Sequence, residues 1–96
     1  MNPQEVEIVV EIKNFSATKH LPLLGSVIEA TAPHVLIIAS CDQKGWVVFK
    51  LIEQKLNVND EVEFLMKASG LDFIIKEGAT KKDVTIACNN GIKNYN

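Results

Sequence analysis

Between Glu5 and Ile12 the chain reads EVEIVVEI, with Val6, Ile8, Val10 and Ile12 on one parity and Glu5, Glu7 and Glu11 on the other. A period of two marks a strand with one face on a core and the other in water. The acidic row predicts a solvated edge strand, since like charges along one face repel one another and favour exposure.

Ser16 and Thr18 are candidate caps for a helix over Lys19–Ala30 (KHLPLLGSVIEA). Leu21, Leu24, Val27 and Ile28 recur there at helical spacing, while Pro22 and Gly25 make the helix short or irregular. Pro33 ends it. His34–Ser40 (HVLIIAS) is a continuous apolar run rich in branched residues, which predicts the middle strand of a sheet covered on both faces. After Cys41-Asp42-Gln43-Lys44-Gly45, the segment Trp46–Leu56 sets Val48, Leu51, Ile52 and Leu56 on one stripe, predicting an amphipathic helix that stops near Asn57.

Asn59 or Asp60 can cap a second helix with Glu61 and Glu63 in its first turn and Val62, Leu65, Met66 and Ser69 facing inward. The same stretch also alternates, with Val62, Phe64, Met66 and Ala68 against Glu63, Leu65 and Lys67. Asp60–Ala68 is therefore open between helix and strand, and the capping signals favour helix. Gly70 breaks the element, Leu71–Glu77 reads as a further short helix ending at Gly78, Asp83–Cys88 (DVTIAC) as a last strand, and the tail NNGIKNYN as frayed. Taken in order, these elements predict a single domain over residues 1–96, of α/β or α+β class. Its sheet would be one small layer of about three to four strands, parallel or mixed, packed by helices.

A hydrophobic content of 47% suits one modest core, and a net charge of -2 leaves no global basic field for autonomous nucleic-acid binding. Lys76, Lys81, Lys82 and Lys93 form a small basic cluster, read as solvated surface with phosphate contact as the alternative. No basic leader precedes an apolar run, and no stretch reaches the ~20 apolar residues of a membrane helix, which predicts a cytoplasmic protein. Cys41 and Cys88 lack a CxxC or Cys/His setting, so the expectation is two reduced thiols, with neither a disulfide framework nor structural zinc.

His20 and His34 sit in no metal-spaced motif, and no glycine-rich phosphate loop is present. No metal, cofactor or complete catalytic constellation is predicted, so binding is favoured over turnover. Trp46, the only tryptophan, is either a core residue or a partner anchor. Cys88 outranks Cys41 as a functional thiol because it ends an apolar run and enters a polar loop.

The run Glu61–Ile74, EVEFLMKASGLDFI, resembles a motif of the kinase-binding subunit family of the KEOPS complex. That motif has an acidic residue, an apolar stretch, Ser-Gly, and an isoleucine four places after the glycine. Glu63, Phe64, Leu65, Ser69, Gly70 and Ile74 match it, with Leu71-Asp72-Phe73 standing where the family is polar or basic. The strand ending at Ala39, the helix after Gly45, Gly78 and Asp83–Cys88 are similar to the family's layout, so the resemblance covers nearly the whole chain. It implies a non-catalytic subunit that holds the complex's small kinase and helps present tRNA for threonylcarbamoylation of the adenosine beside the anticodon. Ser69, Gly70 and Ile74 would form the partner-binding surface, with Trp46 and Phe49 as further contacts.

HVLIIASCDQKGW, EVEFLMKASGLDFIIK and VTIACNN also look like the order of the DsrE-like sulfur-relay family, which implies a persulfide carried on Cys88. Asp60–Ala68 is a helix under the first resemblance and a strand under the second. An unrelated protein-interaction module is a third possibility.

Overall fold

The computed structural model describes residues 4–53 and 58–95. Strand β1 (Gln4–Ile12) follows the alternation, and its apolar parity, Ile8, Val10 and Ile12, is buried. Helix α1 (Ala17–Thr31) buries Leu24 and Ile28, one turn apart, and continues through the exposed Pro22. Two donors at its amino end find side-chain acceptors, one from the turn that holds Asp42 and one from the helix itself. The Ala17 N–H donates to Asp42 Oδ1 at 3.0 Å, and the Ser16 N–H donates to His20 Nδ1 at 3.0 Å.

Strands β2 (Leu36–Cys41) and β3 (Trp46–Glu53) form a hairpin, followed by α2 (Val58–Ser69) and β4 (Phe73–Lys76). Helix α3 (Lys81–Cys88), a single 3-10 turn (Asn89–Gly91) and β5 (Ile92–Asn94) complete the chain. The five strands lie in the order β4-β1-β3-β2-β5, and every neighbouring pair is antiparallel. The first six elements thus make the split β-α-β arrangement of ferredoxin-like topology, with α3 and β5 added at the β2 edge.

This α+β sheet differs from the expected parallel or mixed one of three to four strands. The α1 crossover does leave β1 and β2 pointing the same way, but β3 turns back between them and pairs with both. For the same reason β3, not the His34–Ser40 run, is the middle strand. β1 is internal rather than an edge, because β4 covers its other side.

Four segments depart from the predicted secondary structure. Trp46–Leu56, expected as a helix, is strand β3 as far as Glu53; the expected stop near Asn57 lies outside the described residues. Val47, Phe49 and Leu51 face the two long helices while Val48 faces the other core, so the stripe that joined Val48 to Leu51 is split between the two sides of the sheet. Branched and aromatic residues suit a pleated surface better than a helix. Leu71–Glu77, also expected as a helix, contains β4, whose Val9–Ile12 partners supply the pairing.

Asp83–Cys88, expected as a strand, lies in α3. Val84 and Cys88, four apart, are buried there, and Ile86, which strand alternation would bury with them, is 71% exposed. The Asp83 carboxylate accepts from the Thr80 N–H at 2.8 Å, closing the amino end, and Glu7 Oε1 accepts from the Lys81 N–H at 2.8 Å. The tail is ordered rather than frayed: β5 pairs with β2, and the Tyr95 N–H donates to the Ile38 carbonyl at 2.8 Å; Asn96 lies outside the described residues. By contrast α2 takes the favoured helical alternative, with Asn59 and Asp60 inside its first turn rather than capping it.

The sheet is covered unequally. α1 and α2 close one face over Val10, Ile12, Leu24, Phe49, Leu51 and Leu65. On the other face α3 closes a smaller core of Val9, Ala39, Cys41, Val48, Val84 and Cys88. Cys41 and Cys88, expected as reduced thiols, are joined there by a disulfide with Cα atoms 6.4 Å apart. The sequence separation hid a contact that the α3 return brings together.

Two outcomes follow from this packing. Replacing both cysteines by alanine should lower unfolding free energy by about 4 kcal/mol, from the loop entropy released, as measured by urea titration. Gly45 holds φ +72° in the β2–β3 turn, and an added Cβ would lie 2.7 Å from the Ile12 carbonyl oxygen. Gly45→Ala should therefore cost at least about 1 kcal/mol in the same titration.

Candidate functional site

The face of the sheet that carries α3 is only partly covered, and its β4 side is open. Strand register sets Ile74, Glu11, Trp46, Cys41 and Ile92 in one row across all five strands. Cys41 lies in the α3 core, Ile92 and the half-buried Trp46 pack against it, and only Ile74, at the β4 end, is exposed, at 64%. The alternation of β1 gives the row its polar centre.

Glu11 Oε1 accepts from the Trp46 indole Nε1–H at 3.4 Å and lies 3.5 Å from Lys76 Nζ. Lys76 Nζ in turn stands 5.4 Å from the Trp46 ring centroid, within reach of a cation–π contact. Trp46, Glu11 and Lys76 therefore hold one another in place on a rigid sheet. Beside them a shallow groove of about 370 Å³ is lined by Glu11, Lys13, Asp72, Phe73 and Ile74.

The acidic parity of β1 is not the wet edge its sequence suggests. Glu5 lies 2.8 Å from Lys50, Glu7 meets the amino end of α3, and Glu11 bridges Trp46 and Lys76. Each carboxylate has a donor or cation from a neighbouring element. The Glu5 carboxylate also raises the Lys50 pKa above its ordinary value, by hydrogen bonding first and charge second. Lys76 is thus part of an ion pair and not of a free basic patch, and Lys81 donates its backbone N–H to Glu7.

The residues expected at a partner surface separate into three groups. Ile74 and Trp46 share the exposed row. Phe49 is fully buried on the helix side of β3, in the core under α1 and α2 and outside the row. Ser69 and Gly70 close α2: Ser69 Oγ donates to the Met66 carbonyl at 2.6 Å and accepts from the Leu71 N–H at 3.2 Å, and Gly70 takes φ +75°. Cys88 is 2% exposed and bonded to Cys41.

Both histidines are engaged locally, His20 with the Ser16 N–H and His34 with Glu61 at 2.7 Å. Among the described residues no three His, Cys, Asp or Glu side chains gather at a metal-sized site. No described helix is long and apolar enough to cross a membrane. No protein-family model, curated protein or solved structure matches the chain.

Glu11 and Lys76 escape sequence reasoning because their partnership depends on β4 lying beside β1. The signal available was the odd parity of β1, which places Glu11 on the face opposite the core. A contrast in stability separates the two kinds of residue. Phe49→Ala should cost about 3–5 kcal/mol and Ile74→Ala under about 0.5 kcal/mol, measured by thermal or urea unfolding.

Proposed function

We propose that this chain is a non-catalytic protein-binding module that presents the Trp46–Glu11–Ile74 row to its partner. The observation that carries it is Ile74, 64% exposed in the same cross-strand row as Trp46, with Glu11 between them in contact with Trp46 and Lys76. An exposed aliphatic in line with an aromatic that already has side-chain partners suits an interface anchor, because less side-chain entropy is left for the aromatic to lose on binding. The Cys41–Cys88 disulfide leaves neither thiol free as a nucleophile, which favours binding over cysteine chemistry.

The resemblance over Glu61–Ile74 makes the small kinase of a KEOPS-like complex the partner proposed, with tRNA a further contact within that complex. The helix over Val58–Ser69 supports this resemblance over the sulfur-relay alternative, which calls for a strand there and a free Cys88 thiolate. The support is confined to Glu61–Ile74, since the helix the resemblance placed after Gly45 is a strand and the strand it placed at Asp83–Cys88 is a helix. Of its motif residues Phe64 on α2 and Ile74 on β4 are both exposed, at 63% and 64%, and Ile74 is the one that shares a row with Trp46, so the proposal rests on Ile74 and Trp46. A cytoplasmic setting goes with that kinase. The Cys41–Cys88 bond is of the kind that oxidising compartments maintain, so the binding assay belongs in both oxidising and reducing buffer.

Calorimetric titration of the folded protein with the kinase should give saturable binding that Ile74→Asp or Trp46→Ala weakens by at least about tenfold. Absence of binding in both buffers would sink the kinase assignment. Binding indifferent to both substitutions would remove the row as the contact surface.

A further inference from the structure

We infer that the free edge of β4 pairs with the β4 of a second copy, in an antiparallel register centred on Ile74, to give a two-fold symmetric dimer with one continuous sheet. β4 ends the sheet on its side, and among the described residues no strand pairs with its outer edge. Its flanks are open: a Cβ built at Gly70 or at Gly78 meets nothing within 4 Å.

The direction of the backbone groups limits how such an edge can be used. The Lys13 N–H donates to the Asp72 carbonyl at 3.0 Å, while on the opposite side of β1 the Ile12 N–H donates to the Gly45 carbonyl at 2.7 Å. Hydrogen-bonded and non-hydrogen-bonded pairs alternate along an antiparallel ladder. Asp72, Ile74 and Lys76 therefore turn their backbone groups toward β1, and Phe73 and Ile75 turn theirs toward the free edge.

A two-fold axis perpendicular to the sheet keeps each face on its own side, so it can pass only through a residue. Centred on Ile74, it sets Phe73 opposite the second copy's Ile75 as a hydrogen-bonded pair, giving four interchain N–H to carbonyl bonds. It also sets Ile74 against Ile74, and Asp72 against Lys76 at both ends. Centring on Ile75 would place Phe73 opposite Glu77 and Ile74 opposite Lys76. Centring on Phe73 would place Ile74 opposite Asp72. Only the first register matches apolar with apolar and acid with base throughout.

A lysine on an edge strand ordinarily discourages pairing. Here Glu11 and Trp46 draw the Lys76 ammonium inward over the sheet face and away from the free edge, so it does not bar that edge, and the second copy's Asp72 would meet it by a swing of the lysine side chain outward. Asp72 is itself exposed and, among the described residues, has no ion-pair partner within its own chain. An isologous contact of this kind closes on itself and stops at two copies.

Its consequence is structural for the proposed binding face. The two rows would meet at Ile74 and run as one from Trp46 of one copy to Trp46 of the other. The inference uses the strand edge and not the kinase assignment, so either can fail without the other.

Sedimentation equilibrium over micromolar to millimolar protein should show a reversible monomer–dimer equilibrium. Ile75→Pro removes an outward N–H without touching the β1 ladder and should give monomer with an unchanged circular dichroism spectrum. Asp72→Lys, which opposes like charges at both ends, should weaken dimerisation about tenfold or more. Mild oxidation of Ile74→Cys should form an interchain disulfide, since facing residues of a non-hydrogen-bonded pair have Cα atoms about 4.5 Å apart, whereas Glu77→Cys should not. A wild-type protein monomeric at millimolar concentration, or a dimer indifferent to both Ile75→Pro and Asp72→Lys, would overturn the inference. Cross-linking at position 77 in place of 74 would overturn the register.

Discussion

The pairing of β1 with β3 is the contact on which the remaining structure depends. It runs from Gln4 against Glu53 to Glu11 against Trp46, joining segments separated by a whole helix and a strand. Such a contact cannot form until α1, β2 and the Gly45 turn have brought β3 back, so much chain entropy is lost before it stabilises anything. Once formed, it separates β1 from β2, makes every neighbour antiparallel, and leaves the other side of β1 to β4 and the outer side of β2 to β5.

Because the central strands have apolar residues on both parities, both faces need a cover, and the two covers are unequal. α1 and α2 span one face with long apolar stripes. α3 has eight residues, too few to persist alone, and its hold on the other face comes from outside its own backbone bonds. Glu7 and Asp83 accept hydrogen bonds at its amino end, Val84 packs against the sheet, and Cys88 ties its last turn to β2. What α3 does not reach is the β4 side of that face. The exposed Ile74 end of the Trp46–Glu11–Ile74 row is therefore a direct result of a short third helix, whose core reaches only as far as Trp46.

Features with one dominant local cause were legible in the chain. The period of two in β1, the helical spacing of Leu24 and Ile28, the acidic first turn of α2 and the glycine that ends it all carry their cause within a few residues. Ile74 was singled out only by the motif resemblance, and Trp46 as the only tryptophan, a core residue or an anchor by sequence alone. Phe49 was misplaced because a helix and a strand put position 49 on different surroundings. The strands Trp46–Glu53 and Phe73–Lys76 and the helix Lys81–Cys88 are short apolar runs whose spacing suits either structure, and each took the form its neighbour required.

By itself, then, the sequence determined that helices and strands are mixed along this chain, where its first strand lies, and which face of that strand is apolar. Tertiary structure alone decided the strand order, the disulfide, and the meeting of Glu11, Trp46 and Lys76. The physical reason is range: side-chain periodicity and capping act over one or two turns of chain, whereas Glu11 and Trp46 lie opposite each other only through the β1–β3 register, and Lys76 joins them only because β4 returns to the free side of β1.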